Sequence, residues 1–303
     1  MIALTKIREF NLSAASAAGR PLHLSAASGL VCLHSFIYVV ADDELHLGVF
    51  GAATGEPGHL IRLFDGELPE SKKDRKKQKP DFEALTLLPA YGDHPHGALL
   101  ALGSGSRRNR FSGALLSLDA DGAVRGSPQV LDLSPILAPL DGALPELNIE
   151  GAVVSGDELR LFQRGNKGKA ENAVIRFPLS ALLKALNAET DPLEPSAIDI
   201  FDLGEIDGIP ISFTDASALP DGSMVFAAVA EDTDDAYNDG QCVGAAIGLI
   251  GGNELRWLHR LDRADKVEGV HARVDGTVIK LLLVTDADDA AIPAGLFSAE
   301  IRR

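Results

Sequence analysis

Four acidic residues stand at similar places in a phrase that the chain repeats about every 60 residues. The phrase is an acidic residue, a small residue and an apolar run, and its clearest copies are PDFEALTLLP and NIEGAVV. The acidic residues are Glu83, Glu150, Asp215 and Glu268, and a fainter first copy has Ser28 at the same point. If each copy opens an equivalent structural unit, these oxygen-bearing side chains are expected to meet in a ring.

A ring of carboxylates raises an electrostatic problem that a metal ion would solve. Carboxylates held close together repel one another and resist the loss of hydration unless they are neutralised. Carboxylate oxygens suit a hard divalent cation, so we predict Ca²⁺ or Mg²⁺ bound by Glu83, Glu150, Asp215, Glu268 and Ser28. Alternatively, each acid caps its own loop by accepting backbone N–H bonds, or pairs with a nearby arginine.

Basic residues are expected on the same face of the protein. Arg107 in the loop GSGSRRNR and Arg164 in the loop QRGNKGK each follow the second strand of a repeat. Arginine side chains on such loops bind phosphate or carboxylate groups through paired hydrogen bonds. Lys167 and Lys169 continue the second loop, and the segment 71–79 (SKKDRKKQK) is interpreted as a third basic loop on this face. The alternative is a solvated surface on which charges happen to segregate.

The segments that carry these residues are predicted to form an all-β fold. Short apolar runs alternate with turn signals such as Asp-Gly pairs, which favour tight hairpins. They group into five four-stranded units, as in a β-propeller whose innermost strands line a central channel. We expect a single domain over residues 1–303, with one helix inserted at 179–187. The predicted blades lie at about 20–66, 80–134, 147–204, 212–262 and 265–301.

The last predicted blade is one strand short, whereas the first strand of the chain has no blade of its own. The segment KIREFNLS, within residues 2–12, resembles the outer strands HLIRLFDG and RWLHRLDR. We therefore predict a five-bladed β-propeller of four-stranded blades, closed by the N-terminal strand completing the last blade. Such closure leaves no open sheet edge.

Composition and charge narrow the class of protein and its partners. The 303 residues carry 44 acidic and 28 basic side chains, which gives a net charge of −16. This surplus argues against nucleic acid and anionic membranes as partners and favours solubility. The sequence has no signal-peptide pattern, membrane-length apolar run or disulfide framework. We expect a cytoplasmic protein that is a monomer or a weak homo-oligomer.

The phrases DFEALTLLP and NIEGAVV resemble those of two bacterial propeller families, the "esterase-like activity of phytase" type and the SdiA-regulated type, over nearly the whole chain. Members of these families use such glutamates near the channel. Calcium-activated nucleotidases, which are five-bladed propellers with a central calcium, are a looser match. These resemblances imply a calcium-dependent hydrolase of phosphate esters or diphosphates. The first copy departs from the pattern, because Ser28 stands where the acid is expected.

Two functions follow from these observations. In the first, the protein is a metal-dependent hydrolase that binds a small anionic, phosphorylated ligand. Arg107 and Arg164 would hold the anion and stabilise developing charge, and Glu83 or Glu150 would orient or deprotonate the attacking water. In the second, the same face binds a metabolite or a protein without catalysis, and any bound ion is structural.

Overall fold

The computed structural model describes residues 1–165, 171–186, 191–232 and 240–303. Within these residues the strands form five separate antiparallel sheets, and each sheet is one blade. The first strand, β1 (Thr5–Glu9), belongs to the last blade. The next four strands build blade one in chain order: β2 (Ala27–Leu33), β3 (Phe36–Ala41), β4 (His46–Gly51) and β5 (His59–Arg62).

Blades two and three repeat this order, with short helices between their strands. Helix α1 (Lys72–Gln78) precedes blade two, whose strands are β6 (Phe82–Leu88), β7 (Ala98–Gly103), β8 (Ser112–Ser117) and β9 (Gln129–Asp132). Helices α2 (Ser134–Leu137) and α3 (Leu140–Ala143) lead into blade three. Its strands are β10 (Ile149–Ser155), β11 (Glu158–Gln163), β12 (Asn172–Pro178) and β13 (Ala197–Phe201), and α4 (Leu179–Ala185) lies before β13.

Blades four and five complete the ring. Blade four carries an additional short strand, and its members are β14 (Glu205–Ile206), β15 (Ile209–Ala218), β16 (Met224–Asp232), β17 (Gln241–Gly251) and β18 (Glu254–Arg260). Blade five contains β19 (Val267–Asp275), β20 (Val278–Thr285) and β21 (Gly295–Arg302), with β1 as its fourth strand. In each blade the first long strand lies nearest the channel.

Blade five receives its outer strand from the start of the chain. Strand β1 pairs with β21 in antiparallel fashion, with Thr5 opposite Ser298 and Glu9 opposite Gly295. Phe10, directly after β1, is fully buried, and its ring centroid lies 4.5 Å from that of Phe50 in blade one. The predicted five-bladed fold, closed by the N-terminal strand, is therefore confirmed.

The apolar core is divided among the interfaces between neighbouring blades. Five clusters of buried side chains lie in the described residues, one at each interface. Between blades three and four, the ring of Phe213 meets those of Phe162 and Phe226 edge-on, at 5.2 and 4.9 Å. Strands with both faces covered are apolar throughout, and all six residues of β7 are buried. This packing holds the inner strands in a fixed ring.

The segment interpreted as a basic loop, residues 71–79, is largely helical, so that prediction was wrong. Lysine, arginine and glutamine favour helices, and the composition of α1 outweighs its charge repulsion. Arg75 also anchors the helix, because it donates hydrogen bonds to the carbonyl oxygens of Pro69 (3.0 Å) and Asp43 (2.7 Å). The helix predicted at 179–187 is present as α4 over Leu179–Ala185, and Asn187 lies outside the described residues. No helix in the described part of the chain is long and apolar enough to cross a membrane.

Candidate functional site

Each inner strand contains a β-bulge, and four of the five repeated positions lie at these bulges. The strand register shifts at Glu83 in β6, at Glu150 in β10 and at Glu268 in β19. In blade one the shift spans Ser28 and Gly29, and in blade four it falls at Thr214. A bulge re-aims the side chain of the extra residue. The repeated phrase is therefore the sequence signature of a bulge at the channel mouth.

In blade four the repeat is displaced by one residue from the expected alignment. Thr214 occupies the position of the acid, whereas Asp215 occupies the position of the small residue, opposite Ala227. The Asp215 carboxylate accepts a 2.8 Å hydrogen bond from the backbone N–H of Val270 in blade five, and burial raises its pKa well above the ordinary value. Asp215 therefore links inner strands and does not line the mouth with the glutamates.

A cavity of about 420 Å³ occupies the mouth of the channel. Six of the seven predicted site residues line it, and Asp215 does not; the six are Ser28, Glu83, Glu150, Glu268, Arg107 and Arg164. Lys167 and Lys169, which belong to the predicted basic face, lie outside the described residues. The repeat thus brings most of the predicted groups into one enclosed space, and their contacts decide what each can do.

Three carboxylates on one side of the cavity form a cluster suited to a metal ion. One oxygen from each of Asp42, Asp81 and Glu83 lies within 4.8 Å of the other two. Asp42 directly follows β3, and Asp81 directly precedes β6 in a left-handed backbone conformation (φ 60°). Asp42 and Asp81 were missed in the sequence because neither stands at the repeated acidic position, although Asp81 lies within the copy PDFEALTLLP, two residues before Glu83. Their only signal is their place beside a strand end at the mouth.

Two basic side chains already neutralise this cluster. The ammonium group of Lys79 contacts Asp42 and lies 2.8 Å from Oδ1 of Asp81. The Nη1 atom of Arg110 lies 2.6 Å from Oδ2 of Asp81. Burial opposes ionisation of Asp81, but the charges of Lys79 and Arg110 together hold its pKa below the ordinary value. A metal ion at this cluster would therefore compete with Lys79 for the oxygens of Asp42 and Asp81.

Arg164 is the centre of a second network on the opposite side of the cavity. Its Nη2 atom lies 2.6 Å from Oε2 of Glu231, and its Nη1 atom lies 3.3 Å from Glu150 and 3.7 Å from Glu268. Lys266 extends the network, with Nζ 3.2 Å from both Glu231 and Glu268. The partners of Arg164 are carboxylates of the protein, so its charge is committed to holding these acids together.

The glutamates at the mouth hold protons unusually tightly. Burial, together with Glu150, Asp81 and Asp42, raises the pKa of Glu83 well above its ordinary value. Burial likewise raises the pKa of Glu150 to about 8; Glu268 adds to the shift, and Arg164 opposes it. A group that titrates near neutral pH can both give and accept a proton under physiological conditions. Glu150 is therefore a candidate acid–base group of the described site.

The basic side chains of the rim come from blade two and α1. Arg107 precedes a short 3₁₀ turn (Arg108–Arg110) and lines the cavity, half-buried, together with Lys76 of α1. Arg110, at the end of the turn, donates a 2.9 Å hydrogen bond to the carbonyl oxygen of Lys76. This contact fixes the turn against α1. The cavity wall on this side thus presents cationic groups beside the acidic cluster.

Comparison with models of protein families assigns the chain to one family. A model described as "Family of unknown function (DUF6929)" matches residues 23–301. The chain belongs to this family. The range matched by the DUF6929 model includes the inner strands of all five blades and the three clustered carboxylates. No curated protein matches the chain in sequence.

Solved structures that resemble the DUF6929 chain are distant in sequence. A luciferin-regenerating enzyme is 12% identical, with a TM-score of 0.50 over 99% of this chain and 95% of its own. A PQQ-bound aldose sugar dehydrogenase from Streptomyces coelicolor is 11% identical, with a TM-score of 0.48 over 99% of each chain. A hydrazine synthase from Kuenenia stuttgartiensis is 11% identical, with a TM-score of 0.40; 90% of this chain aligns and spans 60% of that one. At these identities the similarity shows the fold alone, so the phytase-like activity stays a prediction.

Proposed function

We propose that the protein binds a divalent cation, Ca²⁺ or Mg²⁺, at Asp42, Asp81 and Glu83, and hydrolyses a small phosphorylated ligand in the adjoining cavity. The observation that carries this proposal is the cluster of three carboxylates, whose oxygens lie within 4.8 Å of one another. Oxygen ligands of this kind are preferred by hard divalent cations. A bound ion would polarise a phosphoryl oxygen and lower the pKa of a water molecule.

The side chains around the cavity supply the remaining roles. Glu150, with a pKa of about 8, holds or accepts a proton near neutral pH and is the general acid–base candidate. Arg107 faces the ligand from the cationic wall and binds its phosphate group. Arg164 contacts Glu150, Glu231 and Glu268, and these contacts support a role in positioning Glu150; that it also holds the anion stays a prediction.

The choice of a phosphate ester as substrate rests on the resemblance of DFEALTLLP and NIEGAVV to phytase-like propellers and on the basic cavity wall. Phosphate carries a double negative charge, which suits a site that combines a divalent cation with Arg107. A cavity of about 420 Å³ is within the range that holds small-molecule ligands.

Turnover of p-nitrophenyl phosphate in Ca²⁺ or Mg²⁺ is the test of catalysis. We expect activity that EDTA abolishes, and a loss of at least about 100-fold in kcat for Glu150→Gln, because general acid–base groups contribute 10²–10⁴-fold. Phosphate affinity of the same variant, measured by calorimetry, should change little. The control is Glu300→Gln, which alters an exposed glutamate of β21 far from the cavity lining. Full activity in Glu150→Gln would rule out its acid–base role.

A non-catalytic binding propeller is the second candidate, and a specific observation favours it. Lys79 and Arg110 already neutralise Asp42 and Asp81, so the fold can satisfy these carboxylates without a metal ion. In that case the cavity binds an anion through Arg107 alone. Phosphate binding that is independent of Ca²⁺, weakened by Arg107→Ala and accompanied by no turnover, is the result that selects this alternative.

A further inference from the structure

The cavity is charged unevenly, and the imbalance falls opposite the proposed metal site. On the blade two side, the three clustered carboxylates stand beside four cationic side chains, which are Lys79, Arg110, Arg107 and Lys76. On the far side, two cations, Arg164 and Lys266, face four carboxylates. Those carboxylates are Glu150, Glu231, Glu268 and Asp288. The far side therefore lacks positive charge.

Glu268 is the carboxylate of the far side whose two oxygens both lack a hydrogen-bond donor in the described part of the chain. Its side chain lines the cavity and is 4% exposed. Oε1 lies 3.2 Å from the ammonium group of Lys266 without hydrogen-bond geometry, and Oε2 has no hydrogen-bond partner among the described residues. A buried carboxylate oxygen without a donor costs free energy comparable to a lost charged hydrogen bond. A donor from a ligand would remove this cost.

Both carboxylate oxygens of Glu268 lack a hydrogen-bond partner among the described residues, and Glu150 and Asp215 differ from it for separate reasons. Glu150 accepts hydrogen bonds from the side-chain amide of Asn148 and, at 3.3 Å, from Arg164. In Asp215, Oδ2 accepts the backbone N–H of Val270 at 2.8 Å, whereas Oδ1 has no partner among the described residues, but Asp215 does not line the cavity. Of the two buried bulge carboxylates that line the cavity, Glu150 and Glu268, only Glu268 lacks a hydrogen-bond donor among the described residues, so it can accept a cationic donor from the cavity.

We propose that the ligand is a small zwitterion, a phosphorylated primary amine, whose ammonium group pairs with Glu268 while its phosphate faces Arg107 and the Asp42–Asp81–Glu83 cluster. This inference rests on the proposed function, since the phosphate end uses the same metal and cationic wall. An ammonium group is the donor of choice because it supplies both the missing positive charge and hydrogen bonds to Oε2. A divalent ion is less suited to Glu268, because the clustered metal ligands of the described residues do not include it.

A pair of isosteric probes tests this inference without chemistry at the phosphorus atom. 2-Aminoethylphosphonate carries an ammonium group where propylphosphonate carries a methyl group. Neither compound has a hydrolysable ester bond. Calorimetry in Ca²⁺-containing buffer should give at least about ten-fold tighter binding of the amine, as a buried charge-assisted hydrogen bond implies. The ratio of the affinities for the two probes should fall to about one in Glu268→Gln and stay unchanged in Glu300→Gln.

The outcomes separate this inference from the proposed function. Equal affinity of the two probes in the unmodified protein overturns the ammonium site, while Ca²⁺-dependent binding of both leaves the proposed function standing. Failure of both probes to bind in Ca²⁺ overturns the two together. An amine preference that survives in Glu268→Gln also overturns the assignment, because the ammonium group would then pair elsewhere. The probe comparison in the unmodified protein keeps the test decisive even if the variant fails to fold.

Discussion

Glu150 links the site to the pH dependence of folding. Burial raises its pKa in the folded protein to about 8, whereas an unfolded glutamate has the ordinary value of 4.5. Between these values the folded state binds the proton more tightly than the unfolded state, so this group makes stability fall as the pH rises. Its contribution is fully present below pH 4.5 and is lost as the pH passes through about 8. Glu83 and Glu268, whose pKa values burial also raises, act in the same direction.

Replacing Glu150 with glutamine should therefore flatten the dependence of stability on pH. Removal of one titrating group lowers the slope by up to about 1.4 kcal/mol per pH unit between pH 4.5 and 8. Urea unfolding at a series of pH values measures this slope. Glu300→Gln, at an exposed position, is the control. An unchanged slope in Glu150→Gln would show that Glu150 ionises normally in the folded protein.

Arg164 should be among the most sensitive single residues for stability. Its guanidinium group is buried and contacts Glu150, Glu231 and Glu268. Removing one partner from a buried ionic network leaves uncompensated charge and costs about 3–5 kcal/mol. We expect a loss of this size for Arg164→Ala in urea unfolding at neutral pH. Arg256→Ala, which removes an exposed pair with Glu254, should cost less than about 0.5 kcal/mol. A similar small loss at Arg164 would contradict the network.

At the scale of elements, the inner strands pack so closely that three of the five have a glycine at or beside the bulge. A Cβ atom on Gly269 would lie 2.3 Å from the carbonyl oxygen of Ser28 in the adjacent blade. This contact involves backbone, so neither partner can move aside cheaply. The glycine in three of the repeated phrases, at Gly29, Gly151 and Gly269, is therefore explained by the approach of one inner strand to the next.

Gly269→Ala should destabilise the protein by about 1–3 kcal/mol, as overpacking in a core does. Differential scanning calorimetry of the variant against Gly55→Ala measures the effect. Gly55 lies in a loop with no atom within 4 Å of an added Cβ, so its replacement should change the melting temperature little. Equal melting temperatures for both variants would mean that the inner strands pack less closely than described.

The sequence predicted the strands better than it predicted their irregularities. Asp-Gly turns and apolar runs identify hairpins directly, and the predicted number of five blades is the number of sheets observed. A β-bulge has no such marker, and an acid followed by a small residue fits two alignments one residue apart. Because of that ambiguity, the predicted alignment of the repeat in blade four was displaced by one residue, and Asp215 was taken for the acidic position that Thr214 occupies. The basic run of α1 was taken for a loop because charge was weighed above helix propensity.

At the scale of the whole molecule, ring closure brings residues from distant parts of the sequence to one cavity. Asp42 of blade one, Glu83 of blade two and Glu268 of blade five line the same space. The repeat was sufficient to predict that the glutamates meet, since equivalent positions in a closed ring share one face. It could not predict Asp42, Asp81, Lys79 or Glu231, because their contacts depend on loop paths and not on the period. The site is therefore richer in charge pairs than the sequence alone indicates.

Thermal unfolding of the EDTA-treated protein, repeated with added Ca²⁺ and with added Mg²⁺, tests the central claim most directly. A cation that binds only the folded state raises the melting temperature by mass action, and phosphate should raise it further in the presence of that cation. We predict such a shift for the unmodified protein and for Glu300→Gln, and its loss in Glu83→Gln, which removes one of the three clustered carboxylates. If neither cation shifts the transition of the unmodified protein, the cluster is held by Lys79 and Arg110 alone and the metal-dependent function is wrong.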